Sequence, residues 1–525
     1  MIKSVVVLGG GSAGYLAAMA LKKRVPALSV KVIRSKEIGV IGVGESTTVG
    51  LPVFLHGFLD VDQAEFYRRV QPSWKLGINF LWGPRKSFDY TFGIQLDWQW
   101  DRLPKTNGFY CDDEFENVDI PSALMAHKKA FIRRPNGDPQ ITRHFGYHID
   151  NARFVAYLED KATEMGVPSI DDVMTSVEQN DQGITKVHLA SGTSVEADLW
   201  LDCTGFRSLL LGKALKESYT SFKSTLFCDR AVTGTWRRTD EIINPYTTAE
   251  TMEAGWCWQI DHPDSIMRGY VYSSSFLSDE EAEREFRGKN PKVTDTRIIH
   301  FASGCYQRSW VKNVVAIGNA AGFVEPLEST SLAVIADESR MLAEILHQSD
   351  REPTHGMIAS YNEINLRSWN IIRDFLGIHY KFNTRLTNAF WRECQLSTQL
   401  GAIEGLIEYY RENGPNTFAR TTLIHGNDLF GLEGYYTLLV GMKVPHRRRH
   451  VPGPEERAIW NGLREGHRKL AVDGLTVREA LDVIGTPGWR WTPGFFGDRP
   501  PSPQGPPQGN QPMATQMSSY IGVKL

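Results

Sequence analysis

Apolar positions along this chain fall into short unbroken runs that end in small-residue turns, the pattern of buried parallel strands feeding helices. Val5 to Leu8 is the first such run, and Gly9-Gly10-Gly11-Ser12-Ala13-Gly14 separates it from an apolar stretch of helical length. Val30 to Arg34 alternates as a second strand. Val314 to Ile317 runs into the turn Gly318-Asn319-Ala320-Ala321-Gly322 and then, past Glu325-Pro326-Leu327-Glu328-Ser329-Thr330, into a helix expected to reach about Leu346. Phe154, Val155, Leu158, Ala162 and Met165 stand at helical spacing, predicting a helix that Asp150 or Asn151 caps and Gly166 ends. Strands are expected at Ile184 to Leu189 and Ser194 to Leu201, the second closing in the turn Asp202-Cys203-Thr204-Gly205. Gly255 to Ile260 has period two, which puts Trp256 and Trp258 on one face of a strand, a placement that core packing alone would explain.

Other stretches are less regular. Residues from about 80 to 147 are rich in aromatics, including Phe88-Asp89-Tyr90-Thr91-Phe92-Gly93 and Asp97-Trp98-Gln99-Trp100, and read as an irregular insertion covering a ligand site. From about residue 355 the pattern is mainly helical. Beyond Trp489 the chain carries many Pro, Gly and Gln and is expected to be extended or partly disordered. No internal repeat is present.

The pattern acquires chemistry at the turns. Gly9-x-Gly11-x-x-Gly14 sits between a strand and a helix, where Gly9 permits the tight turn, Gly11 lets backbone approach a pyrophosphate, and Gly14 lets helix and strand pack closely. Gly9, Gly11, Ser12, Ala13 and Gly14 are therefore candidate dinucleotide-phosphate contacts, against the alternative of a glycine-rich turn that binds nothing. The second strand ends in Arg34 rather than the Asp or Glu of an NAD site, so Arg34 points to a 2′-phosphate, as in NADP, or to another contact with adenosine. Gly42-Val43-Gly44-Glu45-Ser46-Thr47 fits a loop approaching a ring or phosphate as well as it fits a plain turn. Lys75, between Trp74 and Leu76, reads on local grounds as a lysine that extends to water. The turns at Gly9, Asp202 and Gly318 recur at the spacing of one large FAD-binding domain, with Gly318 and Asn319 as further cofactor contacts. A second complete Gly-x-Gly-x-x-Gly for a nicotinamide cofactor is missing, so electrons must come from elsewhere.

Composition narrows the class. The 525 residues carry a formal net charge of -3, with 23% charged and 41% hydrophobic residues, which suits a large globular enzyme and argues against nucleic-acid binding. Apolar runs are strand-sized and the first strand begins within a few residues, so no membrane span or leader is expected and the cytoplasm is the expected compartment. Cys111, Cys203, Cys228, Cys257, Cys305 and Cys394 show no C-x-x-C pair, which predicts free thiols and no metal site.

Taken in order, the N-terminal glycine motif, Gly42 to Ser46, Trp74-Lys75-Leu76-Gly77, Trp200-Leu201-Asp202-Cys203-Thr204-Gly205-Phe206-Arg207, Trp256-x-Trp258-x-Ile260, Gly269 to Ser274, and Gly318 to Thr330 resemble the flavin-dependent halogenases of the tryptophan-halogenase family. The resemblance runs from residue 1 to about 395. It implies an α/β fold with an FAD-binding Rossmann-like domain of the flavin monooxygenase and halogenase type, in segments of about 1–50, 150–215 and 295–350. Substrate-covering insertions would occupy about 51–149 and 216–294, a largely helical substrate region 351–488, and a Pro/Gly-rich tail 489–525.

The resemblance further implies a two-component enzyme. FAD arrives as FADH2 from a separate NAD(P)H-dependent flavin reductase, and with O2 and a chloride or bromide ion yields hypohalous acid, which travels to a small aromatic substrate. Lys75 would hydrogen-bond that acid or become a haloamine, and Glu328 would polarise the oxidant or take the ring proton. Thr330 and Ser331 would bind halide, Trp256 and Trp258 would keep substrate from flavin, Gly44, Glu45 and Ser46 would contact the cofactor, and Tyr90 and Phe92 would line the substrate pocket. Three departures stand out: Asp261 where the family has Pro, Ser331-Leu332 where Gly-Ile is common, and no clamp for the substrate carboxylate after residue 395. An indole, phenol or other electron-rich aromatic is therefore the expected substrate class. The competing readings are a flavin-dependent aromatic monooxygenase, on the shared scaffold, and a non-catalytic FAD- or NADP-binding protein, on Arg34.

Overall fold

In a computed structural model that describes residues 1–38, 44–93, 116–426 and 428–496, the first apolar run is the strand Ser4–Leu8 in the interior of a six-stranded sheet. It pairs in parallel with Ser29–Arg34 on one side and Leu199–Asp202 on the other. Val314–Ala316 and Ser169–Asp171 extend the two flanks in parallel, and Trp310–Val311 turns back antiparallel at one edge. Val5, Val6 and Val7 have no exposed surface, which is why this run shows no polar alternation. Helix Ser12–Arg24 packs against helices Asn151–Glu164 and Ser331–Gln348. The expected cap is Asp150, whose carboxylate accepts from Arg153 N–H at 2.9 Å, and Gly166 follows the helix end with φ +80°.

A second sheet of seven strands carries the Trp pair. Its order is Thr296–His300, Arg230–Arg237, Ser265–Tyr272, Gly255–Asp261, Thr247–Met252, Gly77–Leu81 and Phe88–Thr91, antiparallel except between Thr247–Met252 and Gly77–Leu81. Helices His355–Phe382, Ala389–Ser397, Glu404–Asn413 and Gly431–Gly441 share an aromatic core with this sheet, whereas Val477–Ile484 packs against the strand Ser73–Lys75. A small three-stranded sheet of Glu45–Ser46, Gly146–Ile149 and Ser73–Lys75 holds Ser46, His148 and Lys75 close together.

The fold differs from the sequence pattern in three places. The run Ser194 to Leu201 is two strands in two sheets, because Asp198 leaves the ladder to accept from the N–H groups of Lys3 and Ser4, each at 2.8 Å. The stretch expected to be irregular, about 80 to 147, contains the strand Phe88–Thr91 and the helix Ile120–Ala126, whose cap Asp119 accepts from Ser122 N–H at 2.7 Å, and the strands Gly77–Leu81 and Gly146–Ile149 overlap its two ends. Asp97 to Trp100, Cys111, Gly42 and Val43 lie outside the described residues. Within the stretch expected to be extended or partly disordered from Trp489, the described residues are packed: Trp491 stacks on Tyr67 at 5.1 Å and Phe496, 5% exposed, packs on His56 and Phe145. Apolar burial overrides local composition there. Cys203, Cys228, Cys257, Cys305 and Cys394 are buried free thiols, and no metal-holding cluster occurs among the described residues.

Candidate active site

The glycine loop at the carboxyl end of Ser4–Leu8 has a geometry only glycine satisfies. Gly9 adopts φ +120°, and a side-chain carbon there would lie 2.2 Å from the Cys203 carbonyl oxygen; at Gly14 it would lie 1.9 Å from the Gly9 oxygen. At Gly11 nothing lies within 4 Å, so this backbone faces open space in front of helix Ser12–Arg24. A closely packed turn with one open position at a helix N-terminus fits the pyrophosphate of FAD. Arg34 is committed elsewhere: Glu159 at 2.6 Å and Asp171 at 3.2 Å match its charge, which leaves the 2′-phosphate reading without its cation. Its Cβ would meet a side chain at Gly10 at 2.3 Å, so its stem supports the loop. Ser12 donates to Asn151 at 3.3 Å. Gly318, with φ +63°, donates its N–H to Glu338 at 2.7 Å beside the same loop, where a carbon at Gly318 would lie 3.4 Å from Ala13 Cβ.

Lys75 does not reach water. It has no exposed surface, its ammonium donates to Ser329 Oγ at 2.8 Å, and the Phe92 ring centroid lies 5.1 Å away. Burial drives its pKa down to about 7, against a smaller opposing pull from Glu328. The local reading of a snorkelling lysine fails because Lys75 lies in a strand whose three residues, Ser73 to Lys75, are all buried.

Glu328 closes the short turn Pro326–Glu328, is 2% exposed and accepts from His379 Nε2 at 2.7 Å. Burial raises its pKa, which the His379 hydrogen bond and Lys75 partly offset. Ser329, at φ +59°, turns the chain into helix Ser331–Gln348. Thr330 stands at the helix N-terminus without a side-chain cap, so no capping side chain competes for the first N–H groups of the helix, at the positive end of its dipole.

Trp256 and Trp258 share one strand face, with ring centroids 5.9 Å apart. Both are buried, and Trp256 Nε1 donates to Glu325 Oε2 at 2.6 Å. Tyr380 donates to the same oxygen, and burial raises the Glu325 carboxyl to about 7. Tyr90 packs on Phe375 at 6.2 Å, on the helical side of the site. Asp261, the departure from the family's Pro, is fully buried and ion-paired with Arg238 at 2.6 Å; Asn244 and Gln259 each donate to its other oxygen at 3.0 Å.

Sequence reasoning assigned no role to His379, Glu325 or Ser329. Ser329 and Glu325 stand inside the motif around Glu328, so adjacency was the available signal. His379 is 51 positions from Glu328 and carried none.

Comparison with known proteins completes the description of the site. The sequence model described as Tryptophan halogenase matches residues 4–453. The curated relative "Tryptophan 6-halogenase ThaL" of Streptomyces albogriseolus is 31% identical over 448 residues, covering 79% of this chain and 83% of the relative. Among solved structures, MibH, a lanthipeptide tryptophan 5-halogenase, is 38% identical with TM-score 0.85, covering 92% of this chain and 93% of that one. Tar14, a tryptophan C-6 flavin-dependent halogenase (chlorinase) from taromycin biosynthesis, is 28% identical with TM-score 0.81, covering 92% and 100%.

Proposed function

The chain belongs to the tryptophan-halogenase family and is a flavin-dependent halogenase, and from that premise we propose that Lys75 and Glu328 direct hypohalous acid onto an indole-type aromatic ring. Bound at the Gly9–Gly14 loop, reduced FAD with O2 supplies hypohalous acid from chloride or bromide. The remaining work belongs to the protein. The N–H groups of Thr330 and Ser331 hold the halide. Trp256 and Trp258, the first fixed by Glu325, keep the aromatic substrate from the flavin. Lys75 receives the acid, and its lowered pKa lets the amine act either as a hydrogen-bond donor or as the atom that takes up halogen. Glu328, aligned by His379, accepts the ring proton after electrophilic attack. Gly44, Glu45 and Ser46 connect the flavin side to the lysine, because Ser46 also bonds Ser329 at 3.0 Å. Phe92 and Tyr90 line the substrate side.

The observation that carries this reading is one buried amine set beside one buried carboxylate, both without exposure that any surface role would require. The structural neighbour at 38% identity is a lanthipeptide tryptophan 5-halogenase, and the sequence after residue 395 shows no match to the family's clamp for a free amino acid, so peptide-borne indole is the first substrate to test. A separate NAD(P)H-dependent reductase supplies FADH2, in the cytoplasm. The experiment is a screen with FADH2, oxygen and bromide against free tryptophan, a tryptophan-containing peptide, indole and phenol, read as halogen isotope patterns by mass spectrometry. Lys75→Ala should retain FAD and lose halogenation by more than about 100-fold. Oxygen insertion without halide, or an active Lys75→Ala protein, would overturn the assignment.

A further inference from the structure

Four buried or part-buried side chains continue from Lys75 in a line that the halogenation chemistry above does not use. Ser329, which accepts from Lys75, donates to Ser46 Oγ at 3.0 Å; Ser46 lies 2.7 Å from Thr247 Oγ1, and Thr247 lies 2.9 Å from His148 Nε2. Lys75 and His148 have no exposed surface, Thr247 is 4% and Ser329 2% exposed, and Ser46 alone keeps more. The line crosses three separate structures: the turn before helix Ser331–Gln348, the small sheet bearing Ser46 and His148, and the seven-stranded sheet at Thr247, the first residue of one of its interior strands.

Direction follows from the donors. Lysine only donates and Ser329 passes its own proton to Ser46, so an unbroken line makes Ser46 donate to Thr247 and Thr247 to His148 Nε2. His148 then carries its proton on Nδ1, beside the Asp261 backbone and with no side-chain partner among the described residues. A buried imidazole at the end of three aligned hydroxyls, with no side chain on its other nitrogen, is poorly explained by packing.

We propose that Ser329, Ser46, Thr247 and His148 form a proton relay for Lys75, which takes up the proton that the ammonium must shed before its nitrogen can bind halogen. The inference rests on the role of Lys75 proposed above. In the transfer an N–H bond of Lys75 breaks and an O–H bond forms at Ser329. Ser329 gives its original proton to Ser46, Ser46 to Thr247, and Thr247 to His148, where a new N–H bond forms. Each hydroxyl loses one proton and gains one, and no atom changes oxidation state. The neutral amine then attacks the halogen of hypohalous acid; an N–halogen bond forms, the O–halogen bond breaks, and the released hydroxide leaves as water with a second amine proton. When halogen passes to the ring, the relay runs back.

The surroundings keep His148 a weaker base than Lys75, so it carries the relayed proton only in transit. Burial first, then the charge of Lys75 and of His262, holds His148 well below the usual imidazole range. Loss of the Lys75 charge removes one of those opposing influences, so amine and imidazole exchange one proton rather than holding two. Glu328 faces the lysine end, Glu45 precedes Ser46 on its strand, and Arg238 with its partner Asp261 stands with His262 at the histidine end. Thr247 and His148 are therefore positioning residues that act through Lys75.

The decisive comparison is Thr247→Val, which keeps shape and removes the hydroxyl, with Thr247→Ser, which restores it. The reading is the titration midpoint of the Lys75 Nζ, followed by NMR in protein labelled with 15N-lysine and free of flavin. Aligned hydroxyls polarise one another and strengthen the acceptor at Ser329, so the midpoint should fall in Thr247→Val and return in Thr247→Ser. Halogenation of an indole by the FAD-loaded protein should fall roughly 100-fold in Thr247→Val, the low end of what a positioned proton-transfer group contributes, and recover in Thr247→Ser. An Nζ midpoint unmoved by Thr247→Val overturns the relay, whatever the activity. Because that reading needs no turnover, it stands apart from the screen: a wild-type protein that fails to halogenate removes the proposed function and leaves the Nζ result to judge the proton path.

Discussion

Lys75 illustrates how a single residue trades stability for chemistry. Its amine titrates at about 7 in the fold against 10.5 in the unfolded chain, so between those values the unfolded chain binds a proton that the folded one does not. Stability therefore rises with pH across that window, and the cost of burying this lysine is fully present below about pH 7. Lys75→Met should raise the melting temperature by about 2 °C at pH 6.5, with the gain shrinking as pH climbs toward 10.5, as calorimetry at several pH values would read. The same substitution should end halogenation, as the role proposed for Lys75 requires, an instance of function held against stability. At this scale motifs singled out Lys75, Glu328 and the Trp pair, and the structure buries all four. The sequence was silent on His379, because a residue that aligns another from a distant helix leaves no local pattern, and it misled at Lys75 itself until neighbouring motifs were considered.

Among elements, the Gly9–Gly14 loop gives the sharpest separation of fold from cofactor. Gly14→Ala places a carbon 1.9 Å from a backbone oxygen and should lower both melting temperature and FAD affinity. Gly11→Ala meets nothing within 4 Å and should leave the apo-protein's melting temperature unchanged while weakening FAD binding by about tenfold or more, roughly 1.4 kcal/mol; fluorescence titration with FAD reads the difference. The loop was fully readable from sequence, since strand, turn and helix succeed one another within 21 residues, Ser4 to Arg24. The strand pair at Ser194–Val195 and Leu199–Asp202 was not, because the break depends on Asp198 reaching the first strand's N–H groups, a contact spanning 195 positions to Lys3. Asp261 was visible as a departure from the family's Pro, but its partner Arg238 emerged only with the sheet that brings them together.

Across the whole molecule, distant parts of the chain hold one another. Phe496 packs on His56 and Phe145, and its carbonyl lies 2.5 Å from where a side chain at Gly57 would begin. Phe496→Ala should cost about 3 kcal/mol, seen as a lower urea midpoint with catalytic residues untouched. Composition hid this contact, since a Pro- and Gly-rich surrounding masks two anchoring aromatics, whereas the mixed α/β architecture was evident from the runs and turns. The parallel sheet beneath the glycine loop draws its strands from residues 4, 29, 169, 199 and 314 onward. Such long-range pairing closes slowly, and on a ribosome the loop synthesised first must wait for the strand at Val314 before its floor is complete. Flavin capture at the proposed loop should thus be a late event of biosynthesis, and a nascent chain stalled before residue 314 should emerge colourless however much FAD surrounds it.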